Sequence, residues 1–168
     1  MARKCFYSFH YQPDCWRAST VRQIGSIEGN APARDNDWEA ITSGQNRDEK
    51  IKRWINDQME GRTCAIVLVG SATARRPWID YEIVKAWNAG LGVVGIRIHG
   101  LKDSSGDTSL PGANPFAHIQ YEPQNVSLST IVKCYDPAGA TSQDRYAWIS
   151  QHLSNAVEEA IRIRDAAR

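Results

Sequence analysis

The chain has 168 residues, 42% hydrophobic and 23% charged, the make-up of one folded domain, not of a disordered, collagenous or low-complexity chain. Twenty basic and nineteen acidic residues leave a net charge of +1, so no global field draws the chain to nucleic acid. With a mean hydropathy of -0.49 and no apolar run near the roughly 18 residues of a membrane span, and with no apolar stretch behind Arg3 and Lys4, the expected location is cytoplasmic, away from membranes.

In chain order, Lys4 to Phe9 reads as a first strand, and Cys15 to Gly25 as a short helix stopped by glycine. Arg34 to Trp38 is taken as a second strand, although polar. Asp48 to Met59 is a helix: Asp48 and Glu49 stand in its first turn, where the dipole favours acids, Ile51, Ile55 and Met59 stripe one face, and Gly61 follows as a stop. Thr63 to Val69 is unbroken in its hydrophobicity, the mark of a strand buried on both faces of a parallel sheet. Pro77 opens the next helix, which Gly90 ends. Leu91 to Ile98 is a fourth strand, 100–115 a loop rich in Gly, Ser, Asp and Pro, and Thr130 to Tyr135 a fifth strand. Ser142 to Arg168 reads as a long helix striped by Tyr146, Ile149, Leu153, Ala156, Ala160, Ile163 and Ala167, wide enough to dock on the sheet or on a second copy of the chain. Val157 and Ile161 widen the stripe, and Trp148 points away from it.

No C-x-x-C pair occurs among Cys5, Cys15, Cys64 and Cys134, and the histidines are scattered, so no metal site is expected. Cys5, Cys64 and Cys134 fall in apolar runs and read as buried thiols in a reducing compartment.

Strand–helix alternation with apolar strands predicts a single α/β domain over 1–168: a doubly wound, flavodoxin-like sheet of five parallel strands flanked by helices, order 2-1-3-4-5. Ligands of such sheets bind at the carboxyl ends of the strands, near the switch point between strands one and three. That directs attention to Ser8, Phe9, His10, Tyr11 and Gln12 after the first strand, and to Gly70, Ser71 and Thr73 with the helix Pro77-Trp78-Ile79-Asp80-Tyr81-Glu82 after the third. On that helix Ile79, Ile83, Ala86 and Trp87 form the buried stripe. Glu82 lies about 60° from Ile79, on the same edge as Trp78 one turn earlier, which sets an indole beside a carboxylate at the rim of the core. Burial would raise that carboxyl's pKa and the helix N-terminus would lower it; a solvated ion pair with Lys85 or Arg76 is the plainer reading. His10 reads equally as a strand-end imidazole bonded to a loop carbonyl, and Ser71 and Thr73 as caps of their turn. No Gly-x-Gly-x-x-Gly or Walker loop is present, nor a Gly-x-Ser-x-Gly elbow.

The same residues carry a family resemblance. Cys5-Phe6-Tyr7-Ser8-Phe9-His10-Tyr11-Gln12, the Gly70-Ser71-x-Thr73 turn and Trp78-x-x-Tyr81-Glu82-Ile83 resemble the TIR-like domain of ThsB proteins, the sensors of Thoeris anti-phage defence. Lys102-Asp103-x-x-Gly106 and Gly112-x-Asn114-Pro115-Phe116 extend the match, which runs from Lys4 to about Tyr121. The W-x-x-x-E element is shared with NAD-cleaving TIR domains. The resemblance implies a TIR-like fold and cleavage of the nicotinamide–ribose bond of NAD, an NAD nucleosidase or ADP-ribosyl cyclase activity. Its product would be a cyclic or conjugated ADP-ribose signal that reaches a downstream effector, after a phage-derived trigger. NAD would be substrate, with no cofactor and no metal. Glu82 matches the catalytic glutamate. Phe9, His10 and Tyr11, with Ser8, match the substrate-contacting segment, joined by Ser71 and Trp78, and Trp38 falls where the mobile loop begins. Carboxylate and aromatics suit the chemistry: loss of nicotinamide leaves an oxocarbenium-like ribose, which a carboxylate stabilises while rings stack on the leaving base or the adenine.

Two other readings stand beside this one: a non-catalytic TIR-like interaction module, since fold does not imply function, and an N-glycosidic enzyme of the nucleoside deoxyribosyltransferase kind. A chain that consumed NAD constantly would be toxic, so the crevice is expected to be partly blocked at rest by 37–46 or 100–116. Weak self-association through the terminal helix is expected as well.

Overall fold

The computed structural model describes residues 2–30 and 47–167. Its elements are β1 (Arg3–Ser8), α1 (Tyr11–Arg22), β2 (Ile27–Glu28), α2 (Arg47–Met59), β3 (Cys64–Val69), α3 (Pro77–Asn88), β4 (Gly92–Arg97), β5 (Gln120–Tyr121), β6 (Val126–Ser127), β7 (Cys134–Tyr135) and α4 (Ser142–Ala166). The main sheet runs β2-β1-β3-β4-β7 with every pairing parallel. β7 takes the fifth place, so this is the flavodoxin-like α/β arrangement. β5 and β6 form a separate antiparallel pair.

β3 shows why the central strand is apolar at every position. Cys64, Ile66 and Leu68 face a core closed by α1 and α4, while Ala65, Val67 and Val69 face a second core built with α2 and α3. Side chains alternate across a strand, so burial on both faces demands hydrophobicity without interruption. Pro77 stands at the start of α3, where its missing N–H costs nothing. Gly61 and Gly90 adopt φ of 77° and 88° after their helices, the left-handed geometry that glycine reaches freely.

The stripe of α4 is spent on the sheet. Ile149, Leu153, Ala156, Val157 and Ala160 are buried against it. At Gly92 an added Cβ would lie 2.7 Å from the Ile161 nitrogen, so helix backbone and strand backbone touch. Val157 is therefore core and does not widen an outer face. Trp148 does not point away: it is half-buried, 5.9 Å from the Tyr135 ring and stacked on His152 at 4.3 Å.

Two strand assignments change. The second strand of the sheet is Ile27–Glu28, paired with Arg3 and Lys4; the stretch 34–38 expected in that place lies outside the described residues. The fifth strand shrinks to Cys134–Tyr135 because Leu128–Thr130 winds into a 3-10 turn and the Ile131 and Val132 amides bond back to the Leu128 carbonyl instead of to a strand. Helix α1 begins at Tyr11, four residues before the expected start, so Tyr11 and Gln12 open a helix instead of lining a loop. Cys5 and Cys64 are buried and Cys134 is half-buried. Among the described residues, no helix is long and apolar enough to cross a membrane.

Candidate active site

Ser8 closes β1 opposite Val67 of β3, at the carboxyl end of the sheet and beside the switch point. Its hydroxyl donates to Oε2 of Glu82 on α3. Glu82 is 5% exposed. It belongs to the buried face with Ile79, Ile83 and Ala86 and is not a rim residue. Among the described residues it forms no ion pair with Lys85 or Arg76; its partner is the serine. Burial, the larger influence, pushes the Glu82 carboxyl up to about 8, and the Ser8 hydrogen bond pulls the other way. Burial thus favours the protonated form of this carboxyl.

The turn after β3 is built tightly. The Gly70 amide donates to Thr73 Oγ1 at 2.8 Å, and Thr73 is fully buried, so the hydroxyl replaces a backbone acceptor inside the turn. A Cβ added at Gly70 would lie 2.0 Å from Oδ2 of Asp14, which is why this position has none. Asp14, on α1, is 0% exposed. Its Oδ1 accepts from Arg17 at 3.3 Å, and its Oδ2 meets no donor among the described residues. Burial raises the Asp14 carboxyl against the lowering effect of Arg17. Arg75, with φ 68°, takes a conformation that non-glycine residues seldom adopt, one residue before Arg76, the N-cap of α3.

Around this centre the other expected residues divide. Phe9 and Tyr11 are half-buried neighbours, their rings 6.4 Å apart and tilted by 34°. His10 stands at the N-cap of α1 without a capping side-chain bond. Ser71 is exposed on the turn. Trp78 packs edge-on against Tyr81, ring centroids 5.6 Å apart, and with the second core, while Glu82 turns to Ser8. Trp38 lies outside the described residues.

The loop after β4 reaches the same place. Arg97 donates from Nη1 to the Gly112 carbonyl at 2.6 Å. A Cβ at Gly112 would stand 2.4 Å from the Gly70 carbonyl oxygen and 2.8 Å from that of Ser71. The segment around Gly112 thus rests on the β3 turn. Asp14, Arg17 and Arg97 were not anticipated. An Asp and an Arg three apart on a polar helix look like a surface pair; only the packing shows them buried.

The family described as "Thoeris protein ThsB, TIR-like domain" matches residues 6–103, more than half of the chain. That match takes in Ser8, the β3 turn, Glu82 and Arg97 and stops short of the Gly112 segment. The chain is also similar to "Putative cyclic ADP-D-ribose synthase ThsB1" of Bacillus cereus (strain MSX-D12), 34% identical over 127 residues. That alignment covers 73% of this chain and 65% of the relative, so the relative is the longer protein. The family match over more than half of the chain, together with this relative, shows that the chain belongs to the ThsB TIR-like family of Thoeris defence proteins.

Proposed function

We propose that the chain cleaves the nicotinamide–ribose bond of NAD and passes the ADP-ribosyl group into a cyclic or conjugated nucleotide. This product signals to a downstream effector once a phage-derived trigger is present. The observation that carries the reading is the Ser8–Glu82 pair: a carboxyl desolvated at the carboxyl end of the sheet, on a chain whose ThsB1 relative is named for cyclic ADP-D-ribose synthesis.

The chemistry follows from the charge. NAD brings a cationic nicotinamide ring, and its departure spreads positive charge over the ribose ring oxygen and anomeric carbon. A nearby cation favours the ionised form of a buried carboxyl, so Glu82 gives up its proton to solvent as substrate enters. It then faces the developing charge in a site with little water, where a carboxylate counts for most. Ser8 holds the carboxylate in place by its hydrogen bond. Phe9 and Tyr11 offer ring faces for a base. The nucleophile is water, a group of the substrate itself or a second acceptor molecule, which separates hydrolysis, cyclisation and conjugation; it bonds to the anomeric carbon that nicotinamide leaves, and its proton passes to the Glu82 carboxylate. The scheme needs no cofactor beyond its substrate.

Burial of Glu82 and the seating of the Gly112 segment on the β3 turn support a resting state with low turnover. The test incubates purified protein with NAD, with and without lysate of phage-infected cells, and analyses the nucleotides by mass spectrometry. Nicotinamide release together with a cyclic or conjugated ADP-ribose supports the reading. Intact NAD under both conditions, from folded protein, overturns it, and base exchange with free deoxynucleosides would point to the deoxyribosyltransferase reading.

A further inference from the structure

Arg17 is 3% exposed, and each of its three guanidinium nitrogens faces protein oxygen. Nε donates to the Leu101 carbonyl at 2.7 Å and Nη2 to that of Asp107 at 2.9 Å. Nη1 donates to the Pro13 carbonyl at 3.0 Å and to Asp14 Oδ1 at 3.3 Å. The carboxylate of Asp103 stands 3.6 Å from Nη2. Burying a guanidinium is costly unless its donors are met, and here two of them are spent on main-chain carbonyls of one loop. Asp103 folds that loop on itself, its Oδ1 accepting from the Ser105 and Asp107 amides at 2.9 and 3.0 Å. Gly106 turns it at φ 82°.

The two ends of this arrangement meet the candidate site. Through Asp14, Arg17 touches the residue pressed against Gly70. Through Leu101 and Asp107 it holds the loop whose far end, at Gly112, rests on the Gly70 and Ser71 carbonyls. We propose that Arg17 is a positioning residue: it sets residues 101–112 against the β3 turn and so fixes the wall of the crevice that receives NAD. The substrate half of this statement rests on the function proposed above; the loop half does not.

The test uses the full chain with two variants. Arg17→Met keeps the length of the side chain and removes its donors. Asp103→Ala removes the ion pair and the loop's internal bonds from a half-exposed position, which spares the core if Arg17→Met fails to fold. Hydrogen exchange is read at the amides of Gly106 and Ser109, whose acceptors are the Asp103 and His99 main-chain carbonyls that neither variant removes, and, as control, in β3 and β4. NAD affinity is read by titration and kcat at saturating NAD. Both variants are expected to exchange about tenfold faster in the loop, the scale of losing charge-assisted hydrogen bonds, with the sheet unchanged. Their Kd for NAD is expected to rise by about fivefold or more while kcat stays within about twofold. Loop exchange at the wild-type rate in the folded variants overturns the clamp. A fall in kcat at unchanged Kd overturns the positioning role. If the wild type does not bind NAD, the functional reading fails and the exchange rates alone decide whether Arg17 holds the loop.

Discussion

Glu82→Gln should stabilise the fold at neutral pH. In the folded chain burial carries the carboxyl from its ordinary value of 4.5 up to about 8, whereas in the unfolded chain it ionises normally. Below pH 4.5 both states hold the proton and the group favours neither. Between 4.5 and 8 the folded state binds the proton that the unfolded state has lost, so stability falls as pH rises, by about 1.4 kcal/mol per pH unit. At pH 7 the wild type has lost about 3 kcal/mol in this way, levelling off above pH 8. Glutamine stays neutral throughout and can still accept from Ser8, so only the pH-dependent part is removed. Urea unfolding of both proteins at pH 5, 6, 7 and 8 measures it. The variant's advantage should grow across the series. A constant difference between the two would show that Glu82 ionises normally in the fold, and would refute the desolvation on which its proposed role depends.

Ser8→Ala removes the bond that holds the Glu82 carboxyl down, so the rising limb of the pH–rate profile should move to higher pH and turnover at pH 7 should fall; an unshifted limb would mean the pair does not matter to turnover. Gly112→Ala would place a Cβ 2.4 Å from the Gly70 carbonyl, so the loop should lift and become open to limited proteolysis between 101 and 112; wild-type resistance would contradict its seating on the turn. Gly92→Ala drives a methyl into the α4 backbone at Ala160 and Ile161 and should cost about 1–3 kcal/mol by thermal melting, whereas an unchanged Tm would show that α4 is not docked there.

The large pattern was legible because it is periodic. Six consecutive residues from Cys64 to Val69 can be buried on both faces only in a sheet covered by helices, and the spacing of Ile79, Ile83 and Ala86 put Glu82 near the core. How deeply it sits depends on Ser8, which is 74 residues away, and no local spacing conveys that. β2 escaped notice because two residues between Gly25 and Gly29 carry no period. Asp14 and Arg17 escaped for a different reason: their helix shows no apolar stripe, and Arg17 is buried by the loop at 101–107 closing over it while Asp14 is buried against the β3 turn at Gly70. Val157 and Trp148 were misplaced because the stripe was drawn for one contact line, and the sheet, with Tyr135 at its edge, covers a broader arc of α4.

In the proposed reaction Glu82 carries the cleavage of NAD. Nicotinamide release by wild type and Glu82→Gln, at matched concentration and in the presence of infected-cell lysate, tests it most directly. Release by the wild type and loss of nearly all of it in a variant that remains folded is the expected result. Equal release by the two proteins would contradict it.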